Sequence, residues 1–252
     1  MQKLSTSNRT VLMLLGIMLT LSMAWALFQG AFDMSTSEVL AILGGEGNPS
    51  SSFLIFQIRL PRILLTAIAG AGLAISGAAI QGLFRNPLAD QTLIGVTAGA
   101  SLFAVLSIVL LGSVLATIAE ALRQATISIF AFIGGFATTY MVYFLAREKG
   151  RTNVLTMLLA GIAITAFAGA ASGIFIYLSD DQQLRDITFW TMGSFSASSW
   201  IQVGIAFPII LVGSLTLLRY AKPLNAILLG EKEARYLVVN VEKVKSRTIF
   251  FT

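Results

Sequence analysis

Residues 63–84 read ILLTAIAGAGLAISGAAIQGLF, and residues 85–90 follow as RNPLAD. The first stretch carries no charge over 22 residues, and a helical membrane span needs about 20 mostly apolar residues. The second stretch stops the helix. Pro87 has no N–H and disfavours the helical region for Asn86. Asn86 and Asp90 carry short side-chain oxygens that bond freed backbone groups or cap the next helix. A charge-free helix closed by a turn is one membrane span, and with the composition and the further spans below it puts the chain in the all-α, polytopic membrane class. Within the span, Gly70, Gly72, Ala74, Ser76, Gly77, Ala78 and Ala79 leave little side-chain bulk. Small residues let helices approach closely in lipid, so this helix is expected to be surrounded by others. Gln81 is the polar exception, expected to bond a neighbouring helix or the next loop.

The whole chain agrees with that stretch. Its 252 residues have a mean hydropathy of +0.83 and only 12% charged residues, against roughly 25% in soluble domains. That excludes a cytosolic enzyme, a nucleic-acid binder and a disordered tail. The pI near 9.7 does not mark a nucleic-acid face, because the charges fall in the gaps between apolar runs. Cysteine and histidine are both absent, which removes a disulfide framework and any Cys or His metal or haem ligand. No cofactor is expected. Charge-free stretches mark six spans, at about 11–30, 63–84, 92–112, 125–146, 153–178 and 198–218. The first is expected not to be a cleavable signal peptide, since no clear small-x-small site follows the apolar run and five more spans come after it.

Basic residues set the expected orientation. With the N-terminus inside, Lys3, Arg9, Arg85, Arg147, Lys149, Arg151 and the seven basic residues from Arg219 to Arg247 are cytoplasmic, leaving Arg59, Arg62, Arg123 and Arg185 outside. Thirteen of the 17 basic residues then lie inside, which places the N-terminus in the cytoplasm. None of the twelve acidic residues sits well inside a span. Ion-coupled carriers usually keep a carboxylate at membrane depth, so energy is expected to come from elsewhere.

Four segments between or within spans carry further information. Arg59-Leu60-Pro61-Arg62 runs against the positive-inside trend. Pro61 suits a first helical turn. The two arginines read either as an outside docking point for an acidic partner or as headgroup anchors. In span 153–178, Gly161, Thr165, Ala168, Gly169 and Ser172 recur at helical spacing, and read as the lining of a passage or as a packing seam. Residues 180–199 read as a short outside helix with a turn at Gly193. No role is assigned to the outside segment 113–124, which carries Glu120 and Arg123. In 219–247, Pro223 is expected to end the span and Asn225 to cap a short helix. Gly230 is then expected to turn the chain into a second helix, Glu231 to Leu237, with Glu231 and Arg235 paired at i, i+4. Leu224, Leu228, Leu229 and Leu237 are exposed unless covered. Seven basic and three acidic residues flank them, which fits a seat in another protein's groove or an interfacial loop on lipid heads.

Taken in order, these segments resemble one family, the FecCD-type permease subunit of type II ABC importers for vitamin B12, ferric siderophores and haem. The resemblance rests on RLPR at 59–62, GAAIQGLFRNPLAD at 77–90, IGV at 94–96 and LAGI at 159–162. It continues through LSDDQQLR at 178–185, WTMGS at 190–194 and LNAILLGEKEARYLVVN at 224–240. It covers the chain from about Phe53 onward. Residues 177–193 and 233–245 look most like haem permeases.

The resemblance implies a vitamin B12-importer-like permease fold and a single transmembrane permease domain over 1–252 in the inner membrane, with about six of the family's ten spans. It implies that Arg59 and Arg62 receive acidic residues of a periplasmic binding protein. It implies that Gly161, Thr165, Ala168, Gly169 and Ser172 lie beside the translocation path. It also implies that Leu224, Asn225, Leu229, Gly230, Glu231, Glu233, Ala234 and Arg235 couple to an ATPase subunit. The implied assembly has two permeases in a membrane, two ATPases and one binding protein. This chain is not expected to be an enzyme, and the sequence has no GxxxxGK[ST] phosphate loop. The implied cargo is haem, with ferric siderophore or cobalamin as alternatives. Val238 stands where the family usually has Gly, so the turn after the coupling helix is expected to differ. About four spans, roughly 80 residues, would be missing after Thr252. A truncated, frameshifted or fragmentary chain, not transporting alone, is therefore a further expectation, and a non-functional remnant or a secondary carrier remains a further reading.

Overall fold

The computed structural model describes residues 6–30, 32–112, 117, 119–148, 150–196 and 198–252. Lys3 and Lys149 lie outside the described residues, as do 113–116 and 118 of the unassigned segment 113–124. Helix α1 (Thr6–Phe28) is followed by α2 (Thr36–Leu43) and α3 (Pro49–Phe53). A π-helical turn (Leu54–Arg59) leads without a break into α4 (Leu60–Phe84). A 3-10 turn (Gln91–Ile94) precedes α5 (Val96–Leu110), and α6 (Glu120–Leu145) comes next. A small antiparallel hairpin, β1 (Arg147–Glu148) and β2 (Arg151–Thr152), pairs Arg147 with Thr152 and leads into α7 (Val154–Tyr177). Then come α8 (Asp181–Met192), α9 (Trp200–Leu229), α10 (Glu231–Tyr236) and α11 (Val241–Phe251). The contacts group residues 1–70 and 195–210 into one unit, and 71–194 and 211–252 into another.

In the first unit Val39, Ile42 and Ile55 form a small core with Leu27, Phe28 and Met34. Ser35 caps α2 by accepting the Glu38 N–H at 3.2 Å. The π turn has a local cause. Pro61 has no N–H and its ring crowds the carbonyl four residues back. The chain widens instead, and the Leu60 N–H bonds the Ile55 carbonyl five residues back. The Phe56 carbonyl then has no helical donor, because its next partner in that register is Pro61. The indole Nε1–H of Trp200 supplies one at 2.8 Å.

In the second unit two helices cross at glycines. A Cβ on Gly99 of α5 would fall on Thr138 and the Gly134 carbonyl of α6, and one on Gly134 would fall on the Gly99 carbonyl. The buried Thr138 hydroxyl shares its proton among the carbonyls of Gly134 (2.9 Å), Gly135 (3.0 Å) and Gly95 (3.0 Å). Close backbones and shared hydroxyls are how helices associate where lipid is as apolar as the side chains. Ile80, Leu83, Ile94, Val142, Met157 and Ile227 form the larger core, and Val105, Ile108, Ile127 and Ile187 a second one.

Among the described residues, five helices are long and apolar enough to cross a membrane: 8–28, 49–84, 122–145, 154–177 and 200–229. The expected span at 92–112 is different. Gly95, at φ +77°, breaks it into a 3-10 turn and a 15-residue helix, about 22 Å long at 1.5 Å per residue. The turn at 85–90 forms as expected. Asn86 accepts the Leu88 N–H at 2.9 Å, and Asp90 accepts the Thr92 N–H at 2.8 Å. The small face of α4 is partly covered within this chain: Ser76 and Ala79 are buried, while Gly70, Ala74 and Ala78 are exposed. Gln81 is exposed too, and its side chain has no partner among the described residues. Pro223 does not end the preceding helix either. α9 passes through it to Leu229, and Asn225 stands exposed in mid-helix rather than at a cap. One missing N–H is tolerated there because Leu217 before it and Leu224 and Ile227 after it are held in the core.

Candidate functional site

The two arginines have distinct surroundings. Arg59 is 7% exposed. Its Nη1 donates to the Leu27 carbonyl and its Nη2 to the Phe32 carbonyl, both at 2.6 Å. Leu27 lies in the last turn of α1, where carbonyls lack intrahelical donors and a cation matches the helix dipole. Gly30 makes room, for a Cβ there would sit 2.7 Å from the guanidinium. Arg59 is thus turned inward as a clamp and does not offer its fork to a docking partner. Arg62 is half-buried and donates from Nη2 to the Ser196 carbonyl at 2.8 Å.

The five small residues of α7 straddle two faces. Gly161 and Ala168 are buried, and a Cβ on Gly161 would fall on the Leu93 carbonyl. Thr165 and Gly169 are exposed, Ser172 is half-buried, and a Cβ on Gly169 would meet nothing within 4 Å. Asn153 caps the helix by accepting the N–H groups of Leu155 (3.0 Å) and Thr156 (3.3 Å). Beyond Tyr177, α8 starts with a capping box between Asp180 and Gln183, and Gly193 ends it at φ +72°. That agrees with the short helix and turn expected for 180–199.

The segment after α9 is where charges converge. Leu224 is buried over Gly82, and Ala234 is fully buried. These two residues of the expected coupling set therefore belong to the protein's own core. Asn225, Leu229, Glu233 and Arg235 are exposed, and Gly230, at φ +136°, joins α9 to α10. Glu231 and Arg235 do not pair along α10. Glu231 takes Lys245 at 2.7 Å and Arg85 at 3.5 Å, while Arg235 approaches Glu242 at 4.0 Å. Tertiary partners win because Lys245 is 1% exposed, and a buried ammonium needs its counter-charge far more than a surface pair does.

α10 closes with a Schellman motif. The Val238 N–H bonds the Arg235 carbonyl at 3.0 Å and the Val239 N–H that of Ala234 at 3.1 Å. The motif needs a left-handed residue, and Val238 supplies it at φ +59°. The turn keeps the backbone form a glycine would give, with a β-branched residue in it. Tyr236, Leu237 and Val238 stand exposed beside it.

Sequence reasoning missed Lys245, Glu242, Thr152 and Arg85 as members of this cluster. Glu242 accepts the Thr152 N–H at 2.8 Å, and Lys245 donates to the Thr152 carbonyl at 2.8 Å. The one available signal was a lysine at helical spacing among the buried positions Val241, Val244, Thr248 and Ile249.

Comparison with known proteins supplies the family. The model of the FecCD transport family matches residues 16–252. The chain is 38% identical over 240 residues to the hemin transport system permease protein HmuU of Yersinia pestis, covering 95% of this chain and 70% of the relative. It is 38% identical over 196 residues to the cobalamin import system permease protein BtuC of Halobacterium salinarum, covering 78% and 50%. It is 32% identical over 244 residues to the molybdate import system permease protein MolB of Haemophilus influenzae, covering 94% and 69%. A solved structure, described as an inward-facing conformation of a metal-chelate type ABC transporter, matches with a TM-score of 0.78 and 31% identity. It covers 96% of this chain and 72% of that one. The present chain therefore spans between half and about 70% of these relatives' lengths. With its long apolar helices, it is a polytopic, all-α ABC importer permease and belongs to the FecCD transport family.

Proposed function

We propose that the chain serves as a single transmembrane permease domain that moves haem inward through the inner membrane, with its N-terminus in the cytoplasm. The observation that carries the cargo is the likeness to a hemin permease over 95% of the chain. The cobalamin and molybdate relatives keep other cargoes in play. ATP hydrolysis is assigned to two copies of a separate ATPase subunit. The seat for that subunit is the exposed edge of Asn225, Leu229, Glu233 and Arg235 with Tyr236 and Leu237, turned by the half-buried Gly230, while Leu224, Glu231 and Ala234 hold the edge from behind. Arg62 is assigned to docking of a periplasmic binding protein, with Arg59 positioning the segment that carries it. Thr165, Gly169 and Ser172 border the path, and Gly161 and Ala168 seat α7 against its neighbours. A second permease copy completes the assembly.

The test is uptake into vesicles holding the chain, its ATPase and its binding protein, with hemin, ferric citrate, cobalamin and molybdate offered in turn. ATP-dependent uptake of hemin alone is expected. Uptake of cobalamin or molybdate in its place would overturn the cargo. Leu229→Asp with Leu237→Asp is expected to strip the ATPase from the solubilised permease, and full retention would overturn the seat.

A further inference from the structure

Lys245 is the largest fully buried side chain among the described residues, and it is charged. Burying an ammonium is costly unless it is paired and hydrogen-bonded. Its Nζ bonds the Glu231 carboxylate on α10 at 2.7 Å and the Thr152 carbonyl at the end of β2 at 2.8 Å. One turn earlier on α11, Glu242 accepts the N–H of the same Thr152 at 2.8 Å. Both backbone polar groups of Thr152 are therefore held by α11. The next residue, Asn153, is the cap of α7, and its own N–H bonds the Ala146 carbonyl at 2.9 Å. Arg85, beyond the end of α4, reaches Glu231 from another side at 3.5 Å.

We infer that Lys245 and Glu242 are positioning residues that tie α10 to the first turn of α7, so that a movement imposed on α10 is carried to the helix beside the path. The inference deepens the proposed function, since it rests on α10 seating an ATPase subunit. Charge makes the tie stiff. Bonds to ionised groups are stronger than neutral ones, and the buried Nζ has no water to exchange its partners with. The exposed ion pair that sequence spacing suggests, Glu231 with Arg235, would leave α10 to move alone.

Hydrogen exchange on the full chain in detergent tests this, with and without its co-expressed ATPase subunit. The variant is Lys245→Met with Glu242→Leu, which removes one charge of each sign and leaves Glu231 with Arg85. In the unaltered chain, ATPase binding is expected to slow exchange at residues 152–158 by at least about threefold, and Lys243→Met, on the exposed face of α11, should behave the same way. The double variant should retain the ATPase and show no slowing there, while its Thr152 amide exchanges about tenfold faster for loss of a charged acceptor. Should the double variant fail to fold, Lys245→Met alone, which cuts the link from Glu231 to the Thr152 carbonyl, is read by the same criterion. An undiminished response in either variant would overturn the tie, as would a bound ATPase that leaves 152–158 unmoved in the unaltered chain. An ATPase that does not bind the unaltered chain would bring down the seat on α10, and the linkage with it.

Discussion

Val238→Gly is expected to make the protein more stable. Val238 sits at φ +59° in the position of the α10 Schellman motif that glycine fills without strain. A left-handed L-residue costs roughly 1–2 kcal/mol, and the β-branched Val belongs at the upper end. Glycine returns roughly 0.5–1 kcal/mol of that through its freer unfolded chain. No packing is lost, because Val238 is 93% exposed. Its N–H bond to the Arg235 carbonyl and that of Val239 to Ala234 are backbone bonds that the substitution keeps. The net gain is about 1–1.5 kcal/mol, which lowers the open population at the Val239 amide roughly five- to thirteenfold. Hydrogen exchange at Val239 and the unfolding midpoint in detergent both read it. Val238→Ala is the control, since it keeps a Cβ and with it most of the strain. A midpoint that falls with glycine, or an alanine variant that gains as much as glycine, would refute the argument.

Other outcomes follow from named contacts. Arg59→Leu removes two short bonds to carbonyls and should loosen residues 27–34 by about 2–4 kcal/mol, read by hydrogen exchange, while Arg59→Lys should recover only part because an ammonium lacks the fork. Gly161→Ala drives a Cβ into the Leu93 carbonyl and should cost about 1–3 kcal/mol in detergent unfolding. Gly169→Ala meets open space, so it should leave stability alone and change only uptake. Thr138→Val leaves the carbonyls of Gly95, Gly134 and Gly135 without their shared donor, and should lower the unfolding free energy by about 1 kcal/mol, read as a lower unfolding midpoint in detergent.

What the sequence made legible is what short-range chemistry controls. The turn at Arg85 to Asp90 forms as its Asn, Pro and Asp dictate, and α8 starts at Asp180 and stops at Gly193 for reasons found within four residues. What it hid depends on distant partners. Arg59 and Arg62 look alike in the string, yet Arg59 is claimed by carbonyls 27 and 32 residues away. Glu231 has a favourable i+4 partner in Arg235 and bonds Arg85 and Lys245 instead. The π turn before Pro61 had a visible cause, but the indole that satisfies its free carbonyl lies 144 residues on. Pro223 signalled an end to α9, and burial of its neighbours Leu224 and Ile227 overrode it.

The Arg59 clamp also sets an order of events during synthesis. The carbonyls of Leu27 and Phe32 leave the ribosome before the guanidinium that will hold them, by up to 32 residues. At about 5–20 residues per second that is a delay of a few seconds. Through that interval the end of α1 has no protein donor, and only water or lipid headgroups can serve. The first helix is therefore expected to stay at a hydrated depth until Arg59 arrives, and to settle as one half of a pair rather than as a lone span.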